Sequence, residues 1–152
     1  MTFSKLVAQH FKEVYFGGNW TGVGFITQLD NIALSTAIKQ HPNGHDIATL
    51  AYHIHYFTHS ILGVLQGKKL TSKDAESFDR PELSSDIDWL AFKENCANEA
   101  KQLVIEIEKL SDEALQEDFV KSDYGSVYRN LHGLIEHCHY HLGQIVLLKK
   151  SL

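Results

Sequence analysis

Ser126-Val127-Tyr128-Arg129-Asn130-Leu131-His132-Gly133-Leu134-Ile135-Glu136-His137-Cys138-His139-Tyr140-His141-Leu142-Gly143-Gln144-Ile145 is the stretch that decides the fold. Val127, Leu131, Leu134, Ile135, Cys138, Leu142 and Ile145 recur at three- and four-residue steps, the spacing of one helical face, with Ser126 placed to cap it. His137 and His141 lie on the flank of that stripe, four residues apart. Side chains so spaced stand roughly 6 Å from each other and can grip one transition-metal ion from the same side. Asn130 and Gln144 share the flank, where they can hydrogen-bond to ligands or substrate. His132 and His139 point away from it.

Working outward, three further segments carry the same helical period. Phe3, Leu6, Val7, Phe11 and Val14 predict a first helix ending near Gly17-Gly18, with His10 inside its apolar stripe and read as a core residue. Gly17 to Gly24 reads as a loop, and Phe25 to Lys39 as one or two short helices. Pro42-Asn43-Gly44 marks the next start, with Asn43 as N-cap and Asp46 favourable in the first turn. Ile47, Leu50, Ala51, Ile54, Phe57, Ile61 and Leu65 then form a face running to Gly67. Residues 68–86 are polar and include Pro81, which predicts a long surface connection. Ser84-Ser85-Asp86 caps a third long helix, whose face is Trp89, Phe92, Cys96, Ala100, Leu103, Ile107 and Leu110. Residues 111–123 form a second linker with one turn of helix.

Nothing alternates with a strand period, so the expectation is all-α: one domain over 1–152, a four-helix bundle with a long crossover between helices 1 and 2. With 43% hydrophobic and 22% charged residues in a chain of 152, a single self-sufficient core is expected. A net charge of -5 without a basic stripe argues against nucleic acid as a partner. No apolar run approaches the ~20 residues that span a bilayer, and the N-terminus lacks a signal-peptide core. Cys96 and Cys138 fall inside helices as packing residues, which suits a reducing cytoplasm.

Spacing alone also fits solvated surface histidines, because the chain has 10 of them and His55 and His59 form a second i,i+4 pair. His53 and His55 occupy opposite flanks of the second helix's apolar face, and periodicity does not choose between them as a third ligand. Tyr56 is read as a buried tyrosine with a satisfied hydroxyl, or as a proton donor.

The segment His137-Cys138-His139-Tyr140-His141-Leu142-Gly143-Gln144-Ile145 resembles the H-x-x-Y-H-x-G-Q-I ending of the DinB-like (YfiT-like) metalloenzyme family. Asp46 to Phe57, with His53 ahead of Tyr56-Phe57, resembles that family's second helix. Gly18-Asn19-Trp20-Thr21-Gly22 is similar to its loop after the first helix. The resemblance implies a four-helix bundle in which His53, His137 and His141 hold one divalent ion, zinc or nickel. His55, His59, His132 and His139 fall outside the family positions. Relatives are thiol-dependent transferases and isomerases, which implies a low-molecular-weight thiol and a small-molecule substrate.

Three neutral imidazoles leave an ion its full double charge and open positions, and so lower the pKa of a bound water or thiol. The leading expectation is a metal-dependent enzyme, a thiol-dependent transferase or a hydrolase, with a cleft near Trp20 and Tyr56. A non-catalytic, stress-related metal-binding protein is the alternative. A homodimer with adventitious metal binding is a third reading.

Overall fold

In the computed structural model, which describes residues 2–42 and 44–151, the chain is all-helical. The described helices are α1 (Phe3–Phe16), α2 (Phe25–Leu29), α3 (Leu34–Ala37), α4 (Ile47–Leu65), α5 (Asp86–Glu108) and α6 (Val127–Ser151), with three short 3-10 turns in the linkers. The expected cap at Asn43 lies outside the described residues. Asp46 takes that role instead: its carboxylate accepts from the Thr49 backbone N–H at 2.7 Å. Ser85 caps α5 through the Asp88 N–H, and Ser126 caps α6 through the Arg129 N–H, both as the sequence leads one to expect. Caps of this kind contribute about 1 kcal/mol each.

The long helices pack in pairs. α1 lies against α5 and α6, and α4 lies against the same two. The core between them is apolar and closed, with Phe11, Phe25, Leu29, Ile47, Ile54, Leu103, Ile107, Leu131, Leu142 and Ile145 all fully buried. One buried polar link joins α1 to α4. Thr58 donates to the Ile54 carbonyl, so the Tyr15 hydroxyl donates to Thr58 Oγ1, at 2.5 Å. Between α1 and α4 the chain carries α2, which packs on α1, α5 and α6, and the Trp89 indole donates to the Ile32 carbonyl at 2.8 Å. Gly24 permits that route, because a Cβ there would stand 2.5 Å from the Gly17 nitrogen. No helix among the described residues is long and apolar enough to cross a membrane.

The linker between α4 and α5 does not hang free. It is fastened along one polar stripe of α4, Asp46, Thr49, His53, Tyr56 and Ser60, spaced 3, 4, 3 and 4 residues apart. Arg80 reaches Asp46 and Thr49, and Ser77 offers its carbonyl to His53. The Lys73 backbone both donates to and accepts from the Tyr56 hydroxyl, and Ser60 meets Ser72. Residues three and four apart share a helix face, so the stripe is a track for the returning chain.

His10 departs from its expected place in the core. It is exposed on α1, its ring 6.4 Å from that of His139, because it sits at the edge of the stripe that Val7, Phe11 and Val14 bury.

Candidate metal centre

α4 and α6 pack side by side, and this contact brings His53, His137 and His141 together. One ring nitrogen from each lies within 4.8 Å of the other two. His53 and His141 are buried and His137 is half-buried. The ring centroids are 4.7 Å apart for His53 and His137, 4.5 Å for His53 and His141, and 4.5 Å for His137 and His141.

Hydrogen bonds fix which nitrogens face inward. A carbonyl oxygen only accepts, so His53 donates from Nδ1 to the Ser77 carbonyl, 3.3 Å away, and keeps its Nε2 lone pair. His141 donates from Nδ1 to Gln144 Oε1 at 2.7 Å, which leaves its Nε2 free in the same way. This is how metal-binding histidines are ordinarily oriented, by an acceptor behind the ring. His137 Nε2 stands 2.9 Å from His53 Nε2. With the His53 nitrogen bare, that contact is a hydrogen bond donated by His137, and it leaves His137 Nδ1 buried with no partner.

The donor set fits a divalent ion. At metal–nitrogen lengths of about 2.0–2.1 Å, two ligand nitrogens lie about 2.9 Å apart at a right angle and about 3.4 Å apart in a tetrahedron. An ion held by these residues would replace the proton between His53 and His137, for which His137 would carry its proton on Nδ1 instead. Electrostatics favour the exchange. Burial first, then the neighbouring His141, holds His53 down to about 4, and burial, His141 and His53 do the same for His137. Burial also lowers His141, against the opposing pull of Gln144. Burial thus disfavours the charged form of all three imidazoles, and the neutral form is the one that binds metal.

No protein-family model, curated protein or solved structure matches this chain. The histidine trio therefore stands on its own geometry.

Two clefts reach the trio, one at His141 and one at His137. One, of about 590 Å³, is lined by His141 together with His45, Phe78, Tyr140 and Gln144. The other, of about 470 Å³, is lined by His137 with Phe57, Arg129 and Asn130. Neither involves the two aromatic residues expected beside the site. Trp20 is fully exposed on a loop held by Asn19, and Tyr56 is committed to the linker and lines a separate cavity with His55. Asn130 is likewise engaged, donating to the Tyr124 and Ser126 carbonyls at the start of α6.

Of His53 and His55, only His53 lies with His137 and His141. His55 faces α5, where Asn95 Nδ2 lies 3.0 Å from its Nε2, and takes no part in the trio. Ser77 and Phe78, which hold His53 in place, carry no helical period of their own in the sequence. Their signal was available in the polar stripe of α4, which needs a partner segment.

Proposed function

We propose that this chain is a metal-dependent enzyme acting on a small molecule, built as a DinB-like four-helix bundle with a crossover between its first two long helices. His53, His137 and His141 hold one divalent ion, zinc or nickel, both of which suit imidazole. When bound, the ion supplies a Lewis acid of full double charge, because its three protein ligands are neutral. The chain's own residues do the rest. Ser77 and Gln144 hold two of the imidazoles with Nε2 inward, and Phe57 and Phe78 pack beside the rings and limit water around them. The two clefts give separate approaches, as a thiol-dependent transferase requires, and either would serve a hydrolase. A cytoplasmic setting, where thiols stay reduced, fits the buried free cysteines.

The observation that carries this reading is the convergence of His53, His137 and His141 where α4 meets α6, with clefts lined by His137 and by His141. It is tested by loading the protein with cobalt and recording the visible spectrum. One equivalent should bind per chain, and a small thiol or azide should alter the spectrum by entering an open position. His53→Ala, His137→Ala and His141→Ala should each lose tight binding, whereas His55→Ala and His139→Ala should keep it. A cobalt spectrum that no added ligand changes would leave binding without catalysis.

A further inference from the structure

None of the three candidate ligands lines the cavity that opens between α4, α5 and the Arg80–Leu83 stretch of the linker. Its volume is about 400 Å³, within the range of roughly 300–1,000 Å³ usual for small-molecule sites. Tyr52, Tyr56, Phe92 and Leu83 form walls that are largely apolar and aromatic. Among its polar groups is His59. Its Nδ1 stands 3.0 and 2.9 Å from the two oxygens of Glu99. A carboxylate only accepts, so Nδ1 carries the proton and the neutral ring keeps Nε2 as an acceptor, on a side chain 64% exposed at the rim. His55, 7% exposed, closes the floor beneath, with Glu99 Oε2 3.4 Å from its Nε2.

Charge decides what such a cavity selects. Arg80 lines it, and each of its three nitrogens already makes one hydrogen bond. Nε donates to Thr49, one terminal nitrogen to the Pro81 carbonyl, and the other to Asp46, whose carboxylate is buried. The cation is paired with Asp46 and Glu99 stands behind His59, so an anionic ligand would meet a carboxylate beside each of these residues and would lose its hydration. A ligand with an O–H or N–H placed at His59 gains a hydrogen bond that a purely apolar one does not.

We propose that this cavity is a second ligand site, for a neutral aromatic molecule that bears a hydroxyl or N–H group. The ring lies among Tyr52, Tyr56 and Phe92, and the polar hydrogen is donated to His59 Nε2. Glu99 sets the tautomer that makes this possible. The site is independent of the metal centre, since it shares α4 but none of the three histidines.

The test uses the full chain, with and without zinc, at pH 8. Amide shifts are followed by NMR as 2-naphthol, 2-methylnaphthalene or 2-naphthoate is added. The site predicts saturable shifts for 2-naphthol over residues 48–59 and 80–95. The preference over both analogues should be at least about fivefold, the worth of one hydrogen bond. His59→Phe keeps the ring and removes the acceptor, and should reduce 2-naphthol to the affinity of 2-methylnaphthalene. Leu83→Trp fills the cavity from the linker without touching a helix and should abolish binding. Shifts centred on residues 137–145, equal binding of 2-methylnaphthalene, or a 2-naphthol preference that survives in His59→Phe would each overturn the proposal.

Discussion

Phe78 stacks on His53, with ring centroids 3.8 Å apart and planes 7° from parallel. His45 stacks on Phe78 in turn, at 4.3 Å and 9°. A ligand ring on α4 is therefore held in plane by a residue of the linker, which reaches it only because Ser77, Lys73 and Ser72 are fastened to the same helix.

Replacing Phe78 by Ala should loosen the His53 ring without removing a ligand. The expected loss in zinc affinity is about 10- to 100-fold, the usual effect of disturbing a residue behind a metal ligand. Competition with a chromophoric chelator measures it. Helical circular dichroism should be unchanged, because Phe78 lies in the linker.

Gln144→Leu removes the acceptor for His141 Nδ1–H while keeping the side chain's bulk. The imidazole is then free to place its proton on either nitrogen, and metal affinity should fall by a similar factor. Gln144→Glu restores an acceptor and should restore or exceed the original affinity. An unchanged affinity in Gln144→Leu would show that the hydrogen bond does not orient the ring.

The metal-free protein should lose stability in mild acid. His53 and His137 are held to about 4 in the folded chain, chiefly by burial, whereas an unfolded imidazole titrates near ~6.5. Between those values the unfolded chain takes up protons that the folded chain refuses. The contribution is thus fully present above about pH 6.5 and is lost as the pH falls toward 4. Urea midpoints at pH 7.5, 6 and 5 should decrease in that order, and His137→Phe should flatten the trend. Protons also displace metal less readily than from free imidazole, so half-loss of zinc should fall below pH 6.5.

Tyr15→Phe and Thr58→Val should differ although they break the same hydrogen bond. In Tyr15→Phe the Thr58 hydroxyl still donates to the Ile54 carbonyl, and the cost should be about 1 kcal/mol. In Thr58→Val the Tyr15 hydroxyl is left buried and unpaired, which costs about 1–3 kcal/mol. Equilibrium urea unfolding separates the two, and the order should be Thr58→Val below Tyr15→Phe.

The four long helices were legible because Val7, Phe11, Leu50, Ile54, Leu103, Ile107, Leu131 and Leu142 repeat at helical steps and are all buried. α2 and α3, of five and four residues, are too short to show a period. His137 and His141 could be read as a pair from their own helix. His53 could not be separated from His55 in the same way, since the two sit symmetrically about the apolar stripe. What separates them is tertiary: the linker returns along Asp46, Thr49, His53, Tyr56 and Ser60. A search for apolar spacing passes over that stripe because its members are polar. The same stripe accounts for Tyr56, which the linker occupies, whereas Trp20 is exposed on the separate loop after α1.

Cys96 on α5 and Cys138 on α6 are both fully buried, and burial pushes both thiols up. Alkylating reagents need the thiolate and a path to it, so neither sulfur can react while α5 and α6 remain seated. The protein thereby carries two internal clocks, one on each of the helices that flank α4. The rate at which each sulfur is modified measures how often its helix lifts from the core. Adding zinc, which ties α6 to α4, should slow the clock at Cys138 more than the one at Cys96.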